Sequence, residues 1–140
     1  MADLATGTIS AELRADPDYL LYGETVPSNT TVYSDGMALG KTQDAIEIVG
    51  VAKTEITVLD TKEISFVIQE SSDDGDSDSY VTIATPYSMT ASSDTTIDAG
   101  TELFRFVPST KAEVYIRVGF VSTDTGEAGT VDVFPVYKAR

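Results

Sequence analysis

In Glu113-Val114-Tyr115-Ile116-Arg117-Val118-Gly119-Phe120, every second side chain is apolar. That period of two puts Val114, Ile116, Val118 and Phe120 on one face of a strand, with Glu113, Tyr115, Arg117 and Gly119 on the other. One face therefore meets a core and the other meets solvent. The same alternation recurs upstream in Ile56 and Val58 around Thr57, and in Ile64, Phe66 and Ile68 against Ser65 and Gln69. Val81 and Ile83 flank Thr82, and Phe104 and Phe106 flank Arg105. All of these read as half-buried strands, rich in the β-branched and aromatic residues that suit a pleated surface. Thr130 to Tyr137 reads as the last strand. Its Pro135 has no N–H to give to a ladder, which predicts an edge or an uncovered end there.

Turn-forming clusters separate these runs at Ser34-Asp35-Gly36, Asp60-Thr61, Asp73-Asp74-Gly75, Ala99-Gly100, Pro108-Ser109 and Thr125-Gly126. No helical repeat is available to cross between parallel strands, so α/β architectures are excluded. An all-β fold, an antiparallel β-sandwich of two facing sheets, is what remains. The one helix-like stretch is Thr8 to Ala15, with Ser10 as a cap and Pro17 as a stop. Residues 1–17 are otherwise small, polar and unpatterned, and read as an extended N-terminal arm ordered by a partner. Residues 18–140 then form a single domain, which at this length buries a core without covalent staples.

Histidine, cysteine and tryptophan are absent, which removes Ser-His-Asp and Cys-His nucleophile systems, thiolate or imidazole metal sites and disulfides. No paired carboxylates stand out among the 23 acids, and no serine sits on a strand-to-helix elbow. The expectation is a protein that is not an enzyme and needs no cofactor. The net charge is −14, and the acidic excess lies wholly within the first hundred residues, since residues 101–140 carry five acids and five bases. Phosphate neutralisation needs clustered Lys and Arg, and anionic headgroups repel an acidic surface, so neither nucleic acid nor membrane is an expected partner. The N-terminus lacks a basic and apolar leader, and no apolar run is long enough to cross a bilayer, so a soluble protein made in the cytoplasm is expected.

The loop Ser72-Asp73-Asp74-Gly75-Asp76-Ser77-Asp78 spaces Asp74, Asp76 and Asp78 at alternate positions, the candidates for a cation site. A twelve-residue calcium loop begun at Asp74 needs Gly at 79 and Glu at 85, where this chain has Ser79 and Thr85. A solvated hairpin tip is the simpler reading. Seven tyrosines carry more information, because an exposed amphipathic ring is a common interface anchor. Tyr19, Tyr22 and Tyr33, with Leu20 and the arm residues Leu4, Ile9 and Leu13, are the candidate contacts to a capsid or to a second copy. The alternative for the tyrosines is closure of the core's ends.

Segment order adds a family resemblance. Asp18-Tyr19-Leu20-Leu21-Tyr22-Gly23 is followed by Ser28 to Gly40, by Ile64-Ser65-Phe66-Val67-Ile68-Gln69-Glu70 with its acidic hairpin, and by Tyr80-Val81-Thr82-Ile83-Ala84. Gly100 to Pro108 and Glu113 to Val118 complete the succession. Over residues 18–137 this resembles the jelly-roll cement, or decoration, proteins of tailed-bacteriophage heads. The resemblance implies a jelly roll on the outer surface of the virion, bridging neighbouring major capsid protein subunits and stabilising the expanded head. It also implies a homo-oligomer, a dimer first and a trimer second. The competing reading within the same fold class is a carbohydrate-binding or adhesin-like β-sandwich module. Deleting residues 1–17 is expected to leave the thermal midpoint of the free protein almost unchanged and to weaken its attachment to heads. A large fall in the midpoint, measured by calorimetry, would place those residues in the core instead.

Overall fold

The computed structural model describes residues 19–38, 46–108, 115–123 and 128–137. Its elements are β1 (Leu21–Thr25), β2 (Thr30–Tyr33), β3 (Met37–Ala38), β4 (Ile46–Ala52), β5 (Ile56–Val58) and β6 (Glu63–Ser71), followed by β7 (Val81–Thr90), β8 (Thr95–Ile97), β9 (Glu102–Phe106), β10 (Tyr115–Ser122) and β11 (Thr130–Tyr137). The arm, its Thr8 to Ala15 turn and the candidate contacts Leu4, Ile9 and Leu13 lie outside the described residues. So do the turns at Ser109 and Thr125-Gly126.

The protein is all-β, with every recorded strand pair antiparallel. One sheet has the order β1-β11-β4-β9, and the other has β2-β10-β6-β7 with β3 also on β10. The pairs β1·β11, β2·β10, β4·β9 and β6·β7 are nested in sequence, like the rungs of one long hairpin. The pairs β11·β4 and β10·β6 stitch that hairpin into two sheets. A small sheet, β5-β8, contributes the fully buried Ile56 and Val58 where the chain passes from β4 to β6.

The core is what the alternation predicts for β6, β9 and β10. Ile64, Phe66, Ile68, Ile116, Val118 and Phe120 are at 0–1% exposure, and they meet Ile48, Val131, Val133 and Phe104 from the other sheet. Phe66 is the hub. Its ring stacks on Phe120 at 4.5 Å, tilts against Phe104 at 5.0 Å and meets Tyr87 edge-on at 6.3 Å. Such pairs add about 0.5–1.5 kcal/mol each beyond the area they bury. Gly50 makes room for the hub, since a Cβ there would run into the Phe104 ring.

Strand β7 departs from the sequence reading. Val81 and Ile83 are 59% and 38% exposed, while Ala84, Tyr87 and Met89 of the same strand pack on the core. The cause is irregular register between β6 and β7, with shifts between Phe66 and Ile68 and again between Ile68 and Gln69. A bulge of this kind changes which parity faces inward. Strand β11 is interior, flanked by β1 and β4, and of the two alternatives its proline predicts it takes the uncovered end. Pro135 is tolerated there because Val133 directs its carbonyl to Leu20 on the β1 side, and Pro135, two residues on, faces the same way. Pairing with β1 has already ended at Leu21, so no ladder bond is lost.

Phe66→Ala is expected to cost about 3–5 kcal/mol in chemical denaturation. Val81→Thr, at a position 59% exposed, is expected to stay within about 0.5 kcal/mol. A larger cost for Val81→Thr than for Phe66→Ala would contradict the assigned faces.

Candidate functional site

The residues that do not face the core define two surfaces, one on the outer side of each sheet. On the four-stranded sheet, Leu21 points into the core and Tyr22 points out at 52% exposure. The Tyr22 ring meets Tyr19 edge-on at 4.9 Å, Tyr19 meets Phe134 at 5.4 Å, and the Lys53 ammonium sits 4.2 Å above the Tyr22 ring. Gly23 allows this arrangement through a left-handed backbone, φ +59°, at the irregularity in β1, and its N–H donates to the Asp132 carboxylate at 2.6 Å. Val49 stands between Phe134 and Arg105 by register and is buried to 2% exposure, although it is not part of the core cluster. At the β9 margin of this face, Arg105 donates through Nε and Nη2 to Glu102 and through Nη1 to Glu47. Those bonds from Arg105 hold the Glu102 carboxyl below the usual carboxylate range. The face is therefore aromatic at the β1 edge and ionic at the β9 edge.

On the other sheet, Arg117 alternates with the buried Ile116 and Val118 and so points outward. Tyrosine rings cover both faces of its guanidinium, Tyr33 at 4.0 Å and Tyr80 at 4.2 Å, and its Nε donates to Gln69 Oε1 at 2.7 Å. Gln69 is itself fixed, donating to Thr82 Oγ1 at 3.1 Å. Gly119 lets the Tyr33 ring lie flat, because a Cβ there would come within 2.9 Å of it and within 2.8 Å of Val67. The Tyr80 hydroxyl donates to Asp74, and burial, followed by that hydrogen bond, pushes the phenol's pKa well above its ordinary value. Beside this stack lies a polar cleft of about 510 Å³, lined by the Ser34-Asp35-Gly36 turn, by Asp74, Gly75, Ser79 and Tyr80, and by Arg117.

The acidic hairpin is closed by its own side chains. Ser71 is fully buried; its hydroxyl accepts from the Gly75 and Asp73 N–H groups and donates to the Asp78 carbonyl at 2.6 Å. The Asp73 carboxylate accepts from the Ser77 and Asp78 N–H groups, and the Asp78 carboxylate accepts from Ser72 N–H at 2.8 Å. Asp74 and Gly75 are both left-handed, at φ 60° and 84°. The sequence candidates Asp74, Asp76 and Asp78 are not brought together: Asp74 turns to Tyr80 and Asp78 to Ser72. Among the described residues no group of three acids is placed to hold a metal ion.

Of the candidate contacts, Tyr19 and Tyr22 share the first surface and Tyr33 joins the second, on the opposite side of the sandwich. Leu20 packs against the core. Phe134, Lys53, Tyr80 and Arg117 were not singled out as site residues, although Arg117 already stood on the solvent face of the clearest strand. No protein-family model matches the chain, and no curated protein matches it.

The Ser77 and Asp78 N–H groups hold the Asp73 carboxyl below its ordinary 3.8. A carboxyl whose folded value is depressed stabilises the fold above the ordinary value, and that contribution is lost as pH falls through the lowered one. The Ser77 and Asp78 amide resonances are therefore expected to hold steady from neutral pH down to about 4 and to move together below it. Asp73→Asn should give a similar displacement at neutral pH. Amides that move well above that point, or that ignore Asp73→Asn, would show that the carboxylate does not close the hairpin.

Proposed function

We propose that this protein is a structural, non-catalytic contact protein: a cement protein on the outside of a tailed-phage head, bound across neighbouring major capsid subunits. The observation that carries the reading is the Tyr19-Tyr22-Phe134 cluster on the outer face of the four-stranded sheet. Rigid aromatic rings presented at a surface, with a cation and an ion-pair margin beside them, are the usual anchors of a protein interface.

Three further features support it. Nested pairing of β1·β11, β2·β10, β4·β9 and β6·β7 supports the jelly roll that the family resemblance implies. A chain without histidine or cysteine and with net charge −14 suits contact on a shell exterior better than chemistry or capture by packaged DNA. Repeated copies on a lattice also need little affinity each, because engagement of several subunits multiplies weak contacts. Stabilisation of the head then follows by mass action: a ligand that binds only the expanded lattice lowers that state's free energy by about 2.7 kcal/mol at a hundredfold excess over Kd. Self-association, as a dimer first and a trimer second, fits the same role and is read out by sedimentation velocity.

The test is co-sedimentation with expanded heads lacking the protein. Wild type is expected to pellet with heads and to raise their thermal or chelator resistance. Tyr22→Ala combined with Tyr19→Ala is expected to weaken binding by roughly tenfold or more, with the free protein's midpoint little changed. No co-sedimentation of wild type, or full binding by the double variant, would contradict the proposal.

A further inference from the structure

The cleft beside Arg117 has a chemistry that shell contact does not use. Both faces of the guanidinium are covered and Nε is tied to Gln69, while among the described residues Nη1 and Nη2 have no hydrogen-bond acceptor. Among the described residues, two donors on a fixed plane thus remain open. Asp35, in the same lining, has a carboxylate with no partner among the described residues, and among those residues only Oδ1 of Asp74 is engaged, by Tyr80. The Ser79 hydroxyl lines the same cleft, likewise without a partner among the described residues. The residues that carry a donor fork, two carboxylate acceptors and a hydroxyl therefore line one space of about 510 Å³, within the size range of small-ligand sites.

Charge selects the class of ligand. One guanidinium and two carboxylates leave the cleft net negative, within a chain of net charge −14, so an anion meets Asp35 and Asp74 as like charges. A cation is drawn by that net charge but offers the Arg117 donors no acceptor and is repelled at that end of the cleft. A neutral molecule with adjacent hydroxyls incurs neither penalty, because each hydroxyl donates to a carboxylate and accepts from the guanidinium at once. We propose that this cleft binds a neutral sugar unit of a glycan, with Arg117 donating to ring hydroxyls and Asp35 and Asp74 accepting from them. The Tyr33-Arg117-Tyr80 stack pre-organises the donor, so little side-chain entropy is lost on binding. This activity is additional to shell contact and independent of it. The cleft opens on the outer side of one sheet and the Tyr19-Tyr22-Phe134 cluster on that of the other, so a copy anchored by the aromatic face presents the cleft away from the shell.

The experiment is an amide chemical-shift titration of the full chain with the methyl glycosides of glucose, galactose, mannose and N-acetylglucosamine, against glucuronate and glucosamine as charged controls. At least one neutral sugar is expected to give saturable shifts at Gly36, Gly75, Ser79, Tyr80 and Arg117, and to bind more tightly than either charged control. Asp35→Ala and Ser79→Ala remove side chains that hold no intramolecular bond among the described residues. Both are expected to keep the wild-type thermal midpoint and to raise Kd, Asp35→Ala by roughly tenfold. Arg117→Lys keeps the charge and loses the fork, and is expected to abolish the shifts. Absence of saturable shifts at those amides with all four neutral sugars would overturn the proposal. So would tighter binding of glucuronate or glucosamine, or an unchanged Kd in both alanine variants.

Discussion

Everything outside the core is placed by the packing of Phe66 between the sheets. Its ring touches Phe120 and Tyr87 within its own sheet's inner face and Phe104 across the gap, and Gly50 leaves the space that Phe104 fills. Because side chains alternate along a strand, seating these four rings fixes the parity of β6, β9 and β10. Arg105, Arg117 and Gln69 must then face outward, each one position from a buried neighbour. The surfaces are the complement of the core.

Those two surfaces differ in what they offer a partner. The outer face of the four-stranded sheet is ordered by ring contacts and backed by Val49, so little conformational freedom is lost when a protein docks on it. The outer face of the other sheet is organised around a guanidinium held between tyrosines, with hydrogen-bonding groups left over. The acidic hairpin belongs to this second surface as a wall. Its Asp73 and Asp78 carboxylates accept from the loop's own backbone N–H groups, which offsets part of the repulsion among so many like charges.

The fold class was legible because β6, β9 and β10 alternate apolar residues that face the core with polar ones that face away from it. Strand β4, Ile46-Glu47-Ile48-Val49-Gly50-Val51-Ala52, gave no such signal, since Val49 is buried on the outer side as deeply as Ile48 is on the inner. The exposure of Val81 and Ile83 depends on irregular register with β6, a property of two strands together that neither sequence carries alone. Pro135 marked an edge or an uncovered end because local chemistry forbids a ladder bond, and the structure takes the second course by ending β1 short of it. Of the candidate site, Tyr19 and Tyr22 were legible as exposed aromatics close in sequence. The cleft was not, because Asp35, Asp74 and Arg117 come from three distant segments that only the nested pairing brings together.

The account rests on the claim that the aromatic outer face of the four-stranded sheet is where this protein meets its partner. Hydroxyl-radical labelling of aromatic side chains, read by mass spectrometry with and without expanded heads, tests that claim residue by residue. The account predicts that Tyr19, Tyr22 and Phe134 lose reactivity on heads while Tyr33 and Tyr80 keep theirs. Protection of Tyr33 and Tyr80 with Tyr22 left fully reactive would contradict it.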